Sequence, residues 1–598
     1  MLSKQARDDI EALRSRYPVA RSALIPSLLR AQNEIGWVPP DAMAEVAALL
    51  GISVEAVAEV ASFYSLIFTE PVGKHVIQLC TNVSCMLAGS DDVRDHLERR
   101  LGIRPGQTTA DGRFTLRIAE CLAACEEAPC MIVDEDRYPG LTPARVDEIL
   151  EGVGGWSISD IRHPISDMPM SERVLLRHVG VPDQGDIATY VRNGGYEALR
   201  RALRDYTPEQ IVQLVERSQL RGRGGAGFPT GRKWQFVPAD APVKYLVVNA
   251  DEGEPGTFKD RTLIEGDPHL LVEGMILTCY AAGIRHAFIY LRREFYLGAK
   301  KLRRAIDQAY EEGFLGENIL GSGFACDIVL HPGAGAYIAG EETALLESLE
   351  GQRAMPRLKP PYFPAVMGLY NEPTVLNNVE TLCCVPWIVR EGPEWWLRQG
   401  PPQLYSVSGH VNRPGVIEAP LGITLRELIE RAGGMRNGHR FKACYPGGSS
   451  SKPLVAEHLD VPLDHESLAK VGSMLGSAAV IVMDETTDMV RVIARVCEFY
   501  RDESCGKCTP CREGTVWVTQ VFERILHGHG RVEDLELLRS LSKNMTGTCL
   551  CPLGESVPPS LNAGLEYFRD EFEAYIRRAG EPVQMPVRIK ESVPAPGG

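Results

Sequence analysis

The chain has 598 residues, 44% hydrophobic and 24% charged, with a net charge of −15. This length exceeds a single hydrophobic core and implies roughly three to five domains, while the acidic balance argues against a nucleic-acid binder, which needs clustered Lys and Arg. No apolar run approaches the ~20 residues of a membrane helix, and residues 1–10 are too polar for a secretory signal, so a cytoplasmic protein is expected, peripheral to the inner membrane only through partners.

In chain order, the first seventy residues read as short helices. Ile10, Leu13 and Tyr17 recur at helical spacing, as do Leu24, Leu28, Ala31 and Ile35. Asp41 and Ser53 are candidate N-caps, with Gly51 a stop between them. Residues 75–80 form a strand candidate, followed by a polar-faced helix at 91–101, an alternating strand at 114–118, a third strand at 131–133 and a closing helix at 143–152. This order suits a small thioredoxin-like α/β domain. Residues 154–170 read as a connector. Beyond it, strand candidates at 245–249, 286–291 and 327–331 alternate with helices, one of them at 297–312, which predicts an open α/β sheet. Short strands around Gly409 and Gly415 with one helix, within 406–435, suggest a β-grasp-like domain. Residues 488–578 return to a helical pattern broken by Cys-rich loops, and 591–598 read as a tail.

Four motifs carry chemistry. The chain has 16 Cys, and clustered Cys in a large intracellular chain point to metal rather than disulfides. Cys80-x4-Cys85 and Cys121-x3-Cys125 each begin where a strand runs into a loop. Four thiolates brought together there suit an iron–sulfur centre, although zinc uses similar pairs. Cys505-x2-Cys508-x2-Cys511 is spaced to wrap one face of a cubane cluster, with a fourth ligand from Cys549 or Cys551. A glycine-rich run at 221–233 lets backbone approach a ligand and offers N–H groups to phosphate, with Lys233 adding charge; Gly333 to Thr343 is a second such run. An acidic segment at 249–260, paired with Glu341 and Glu342, offers carboxylates to ribose hydroxyls or a flavin ring.

Together these segments resemble two subunits of respiratory complex I fused end to end. Residues up to about 155 resemble the small [2Fe–2S] subunit, and 170–585 the NADH-binding flavoprotein subunit. The most specific pieces are 222–233, 249–261, 333–349, Asn377-Asn-Val-Glu-Thr381 and 503–514. The fused layout also resembles the diaphorase subunit of NAD-reducing hydrogenases, with related modules in NAD-dependent formate dehydrogenases. The expected architecture is a multidomain α/β chain: a helical domain (1–73), a thioredoxin-like [2Fe–2S] domain (74–155), a linker (156–174), a Rossmann-like FMN- and NADH-binding domain (175–398), a ubiquitin-like β-grasp domain (399–486), a helical [4Fe–4S] bundle (487–585) and a tail (586–598).

The resemblance implies that FMN lies against Gly222, Gly224, Gly225, Lys233, Asn249, Asp251, Glu252, Gly340, Glu341, Asn377 and Asn378. NADH would stack on the flavin with its adenine held by Phe228 and Phe236, while Glu254, Tyr337 and Glu342 line the nicotinamide and ribose region as the catalytic surroundings. A further family aromatic falls at Tyr362 or Phe363, since one extra residue follows Pro360 and Pro361. The implied cluster ligands are Cys80, Cys85, Cys121 and Cys125 for [2Fe–2S], and Cys505, Cys508, Cys511 and Cys551 for [4Fe–4S]. Cys130 lies near the first set but outside its pattern, and Cys549 stands beside the second as a bystander. Ala339 replaces a Cys common in the family. The remaining Cys (279, 326, 383, 384, 444, 497) read as packed thiols.

The implied activity is NADH dehydrogenation: a hydride passes from NADH to FMN, then single electrons leave through the [4Fe–4S] cluster, with [2Fe–2S] a side acceptor. No quinone, hydrogen or formate site is expected in this chain, so further iron–sulfur subunits of a larger complex must take the electrons. The alternatives are a hydrogenase or formate dehydrogenase diaphorase, or a non-catalytic relay protein with a lapsed nucleotide site. The run 340–349 leans to complex I.

Overall fold

A computed structural model describes residues 1–152 and 173–577. The expected tail, and the linker except residues 173 and 174, lie outside the described residues. The chain forms two compact units, Met1–Glu485 and Thr486–Gly598. The first unit holds the four expected parts up to the β-grasp together; the second is the helical part.

The first unit opens with helices Lys4–Arg14, Leu24–Ile35, Pro40–Leu50 and Val54–Ala61. Ser3 and Ser53 cap the first and last by accepting the N–H of Ala6 and Ala56, and Gly51 ends the third at φ +68°. Asp41 is not the cap expected of it. Pro39 occupies that position and Pro40 starts the helix, where a missing N–H costs nothing, leaving Asp41 in the first turn. Tyr17 lies past the end of its helix, and its hydroxyl meets His331 Nδ1 at 2.9 Å across a buried contact.

Next come β1 (His75–Cys80), β2 (Phe114–Ala119), β3 (Met131–Val133) and β4 (Asp136–Tyr138), in the order β2-β1-β3-β4. β1 runs parallel to β2 and antiparallel to β3. Ile77, Leu79 and Leu116 pack against Val93 and Leu97 of helix Ser90–Leu101 and Val146 and Ile149 of helix Pro143–Gly152. This is the thioredoxin-like layer arrangement.

The largest core surrounds four parallel strands: β5 (Tyr245–Ala250), β6 (His286–Leu291), β7 (Asp327–Pro332) and β8 (Thr374–Asn378). Their order is β7-β6-β5-β8. The run Leu246-Val247-Val248 is fully buried, as expected of parallel strands covered on both faces. Successive strands β5, β6 and β7 step to one side, whereas β8 returns to the other side of β5. The reversal makes the β5/β8 boundary a topological switch point, where ligands bind beyond the carboxyl ends of such strands.

β9 (Pro402–Gly409), β10 (Gly415–Pro420), β11 (Phe441–Tyr445), β12 (Leu454–Val455) and β13 (Ala479–Asp484) form a mixed sheet ordered β10-β9-β13-β11-β12. Helix Leu425–Arg431, started by a reciprocal Thr424–Glu427 capping box, packs Leu425, Leu428 and Ile429 into its core.

The second unit is helical, with the main helices at Met489–Asp502, Thr509–Leu526, Val532–Met545, Val557–Tyr567 and Arg569–Arg577. Val496, Phe499, Val518, Phe522, Leu538 and Leu561 are buried among them.

Candidate functional site

The carboxyl ends of β5 and β8 bring the expected flavin residues together. Val248 pairs with Asn377 and Asn249 with Asn378 across the switch point. Asn249 Nδ2 donates to the Gly340 carbonyl at 2.8 Å, and the Asp251 N–H donates to Asn249 Oδ1 at 3.1 Å. Asn377 Oδ1 accepts from Trp234 Nε1 at 2.9 Å. Asn378 caps helix Val379–Glu391 through the Glu380 N–H at 3.0 Å and donates to Asp260 at 2.5 Å. The two asparagines therefore fix the strand end as well as lining it.

The glycine-rich loop lies over this edge and is closed by the Gly222 N–H donating to the Phe228 carbonyl at 2.9 Å. A Cβ on Gly224 would stand 3.1 Å from Asn378 Cβ, and one on Gly340 would stand 3.3 Å from the Asp251 carbonyl oxygen. Gly225, at φ +131°, has no atom near where a side chain would project, so the loop leaves its backbone open to approach there. Lys233 follows on the short helix Thr230–Gln235. Backbone donors, an open glycine surface and one nearby ammonium fit a flavin nucleotide and its phosphate.

The carboxylates divide into two groups. Glu252 is buried and accepts the N–H groups of Asp260 at 2.7 Å and Arg261 at 2.9 Å, tying the acidic loop to the start of helix Lys259–Gly266. Burial, then the charge of Asp260, pushes its pKa up to about 8. Glu341 caps helix Glu342–Leu349 through Thr343 and Ala344. Glu254 and Glu342 form the second group. Glu254 accepts from Tyr337 Oη at 2.6 Å, the Ser450 N–H at 2.9 Å and Ser449 Oγ at 3.3 Å. Burial raises its pKa and these donors oppose the rise. Burial also acts to raise Glu342, but Lys233 and Lys359 outweigh it and hold the group below the usual carboxylate range. Lys359 Nζ reaches Glu342 at 2.6 Å and Glu341 at 2.9 Å.

Phe228 and Phe236 are 42% and 49% exposed, with ring centroids 5.8 Å apart. Between the two later candidates, Phe363 is 51% exposed, whereas the Arg357 guanidinium lies over the Tyr362 ring. Exposed aromatic faces are what a stacked nucleotide base requires.

At the end of β1, the Sγ atoms of Cys80, Cys85 and Cys130 lie within 4.8 Å of one another, all buried. Cys121 and Cys125 are buried on the loop after β2. Cys121 Sγ accepts the Ala123 N–H at 3.4 Å. A buried all-thiol set with backbone N–H donors fits an iron–sulfur centre. In the second unit, Ser504 Oγ contacts Cys511 Sγ at 3.2 Å, Gly554 lies against Cys511 and Cys549, and Cys551 is the N-cap of the short helix Pro552–Glu555.

Sequence reasoning did not single out the buried cations of this region. Arg261 pairs with Glu126 and Glu265 and donates to the Ala123 carbonyl at 2.8 Å. Arg292 donates to the Glu252 carbonyl and, at 2.7 Å, to the Cys121 carbonyl. Lys259 pairs with Asp260 and Glu380, each at 2.8 Å. Arg261 ends the segment 249–261 and was legible as part of it; Arg292 follows β6 with no local motif.

Four family models match in order: a thioredoxin-like [2Fe–2S] ferredoxin over 10–154, the Nuo51 FMN-binding domain over 215–387, an SLBB domain over 404–451, and the NADH-ubiquinone oxidoreductase-F iron–sulfur binding region over 491–575. One of the NADH-quinone oxidoreductase F subunits of Rhizobium meliloti, its number 2, is 54% identical over 414 residues, 68% of this chain and 98% of that protein. The chain belongs to the family of NADH-quinone oxidoreductase F subunits. The corresponding protein of Mycobacterium tuberculosis is 51% identical over 68% of the chain and 94% of its own length. The crystal structure of an NAD+-reducing [NiFe]-hydrogenase in the H2-reduced state matches with a TM-score of 0.81 and 32% identity over 92% of each chain. This member of the family thus carries an FMN-binding domain and both iron–sulfur regions, with the [2Fe–2S] ferredoxin domain on the same polypeptide. The expected fold class and cofactors are borne out.

Proposed function

We propose that the chain is the NADH-oxidising module of a complex I-type NADH-quinone oxidoreductase, and that the residues gathered at the β5/β8 switch point hold FMN and NADH. The observation that carries this reading is the gathering of Asn249, Asp251, Gly224, Gly340 and Asn377 at the carboxyl ends of β5 and β8, together with the exposure of Phe228, Phe236 and Phe363.

FMN, when bound, supplies the chemistry of accepting a hydride from NADH and releasing its electrons singly. The chain's own residues bind and orient. The backbone of 222–225 and Lys233 take the phosphate end. Trp234 and Gly340 fix the side chains of Asn377 and Asn249 at the strand ends. Glu254, held by Tyr337, Ser449 and Ser450, presents a fixed carboxylate edge to the nicotinamide and ribose; such fixation lowers the entropy cost of a reactive alignment. Glu342 pairs with Lys233 and shares Lys359 with Glu341, so these lysines are poised to exchange a carboxylate for a nucleotide phosphate or ribose. Phe228 and Phe236 flank the adenine, with Phe363 as the third aromatic. The two thiol sets, Cys80, Cys85, Cys121 and Cys125, and Cys505, Cys508, Cys511 and Cys551, hold the [2Fe–2S] and [4Fe–4S] clusters.

No helix among the described residues is long and apolar enough to cross a membrane, and no quinone-reducing chemistry is gathered at the site. In this reading the module works through partner iron–sulfur subunits, on the cytoplasmic face of the membrane. A second reading, the diaphorase of a hydrogenase-type complex, is favoured by one observation: the hydrogenase chain is matched along nearly the whole length. Anaerobic addition of NADH to the flavin-loaded protein should bleach the flavin absorbance at once. A flavin that stays oxidised would refute the dehydrogenase reading. Reduction of NAD+ by hydrogen or formate in the native complex would replace the quinone assignment with the diaphorase one.

A further inference from the structure

The site at the end of β1 holds one thiol more than a [2Fe–2S] cluster needs. Cys130 is fully buried, and its Sγ is 3.9 Å from that of Cys85. Its position is not accidental to a mobile loop. The Cys80 N–H donates to the Cys130 carbonyl at 3.1 Å, extending the antiparallel ladder in which Leu79 faces Met131. Sheet register thus places Cys130 opposite Cys80, and the three sulfurs of Cys80, Cys85 and Cys130 converge within 4.8 Å. Cys121 and Cys125 stand outside that group.

We infer that Cys130 is a reserve ligand of the [2Fe–2S] centre, able to take over the iron position of Cys85 or Cys80. The inference rests on the ligand reading given above. In the exchange, the iron–sulfur bond to Cys85 breaks, a bond to the Cys130 sulfur forms, and the proton of the Cys130 thiol passes to the released Cys85 sulfur. No electrons are lost or gained, and the iron keeps four sulfur partners. A side chain whose sulfur already lies 3.9 Å from that of the ligand it replaces needs only a small rearrangement, so little ordering entropy opposes it. The consequence is a centre that survives loss of one β1-side thiolate but has no such protection at Cys121 or Cys125.

The test uses the full-length protein with its flavin and compares Cys130→Ala, Cys85→Ala, Cys85→Ala/Cys130→Ala and Cys125→Ala. The readouts are the electron paramagnetic resonance signal of the reduced [2Fe–2S] centre and iron and sulfide content, with flavin content and circular dichroism reporting the fold. Cys130→Ala should leave the signal unchanged. Cys85→Ala should keep at least half of it with altered g-values, whereas the double variant and Cys125→Ala should lose more than nine-tenths. If Cys85→Ala loses the cluster as completely as the double variant, the reserve role is overturned and the ligand reading stands. If the double variant keeps the cluster, Cys85 is no ligand, and the ligand reading falls together with the inference. Should Cys85→Ala fail to fold, Cys80→Ala with and without Cys130 puts the same question to the other neighbouring thiol.

Discussion

Replacing Arg261 with Met removes one of the two buried arginines that join the loop of Cys121 and Cys125 to the flavin domain. The Arg261 side chain is fully buried, as are its partners Glu126 and Glu265. Glu265 keeps Arg137 at 3.2 Å. Glu126 does not have that recourse: among the described residues its second oxygen has no hydrogen-bond partner. Stranding a buried carboxylate in this way costs about 3–5 kcal/mol, which corresponds to about two to three and a half orders of magnitude in the local opening equilibrium. The cost depends on pH. Burial already raises Glu126 to about 7, with Arg261 the first of the groups opposing the rise. Without Arg261 the carboxyl takes a proton more readily, so the penalty is smaller at pH 6 than at pH 8. Hydrogen–deuterium exchange of residues 121–127 reads the effect directly. Arg261→Met should speed exchange at least a hundredfold at pH 8 and less at pH 6, and adding Glu126→Gln should recover at least half of the loss in logarithmic terms. Exchange within threefold of the parent protein at pH 8 would refute the reasoning, because it would mean that the ion pair does not hold the loop.

Phe228→Ala should weaken NADH binding about 5- to 150-fold, the worth of one base–aromatic stack, and Glu254→Gln should weaken it also; in each, flavin content should stay at the parent level, and an equal loss of flavin would show that the residue faces FMN instead. Cys508→Ala should abolish the [4Fe–4S] signal or leave a three-iron form, while NADH oxidation with ferricyanide persists and electron delivery to the native partners fails; retained delivery at the normal rate would redirect the exit to the [2Fe–2S] domain. His331 is pushed down to about 3 by burial, against 6.5 in the unfolded chain. Between these values the unfolded chain binds the extra proton, so the contribution is complete above pH 6.5 and falls as pH drops, by about 2 kcal/mol at pH 5. His331→Gln should therefore be less stable at pH 7 but show a correspondingly shallower loss in denaturant titrations between pH 7 and 5; an unchanged slope would show that His331 is not the group that titrates.

Local features were legible in the sequence wherever they depend on local chemistry. β6 spans the six residues expected of it because a β-branched and aromatic run is bounded by Arg285 and Arg292, and Gly51 and Ser53 punctuate helices as their φ angle and hydroxyl dictate. The Cys spacings and the glycine runs announced cluster and nucleotide sites because close spacing is itself the requirement. Contacts between distant segments were not legible. Glu126 and Arg261 lie 135 residues apart, Glu254 and Ser450 196 apart, and nothing in either segment names its partner. Asp41 misled because a good capping residue yields when two prolines already fix the backbone ahead of it. Cys130 was visible as a neighbour of the first motif, but its place in the thiol group follows from β1–β3 register, which spacing alone does not reveal.

Arg261 and Arg292 also bear on how such a molecule is made. Each of these guanidiniums finds part of its satisfaction on the loop 121–126 and part on the flavin half. Synthesised as separate polypeptides, each half would carry an unmatched buried charge or carbonyl until it met the other, and any imbalance in supply would leave the excess half exposed. On one polypeptide the ferredoxin segment leaves the ribosome first and is tethered at high effective concentration when the arginines emerge. Covalent joining thus sets the ratio of the two halves at one to one and turns a bimolecular encounter into a folding step.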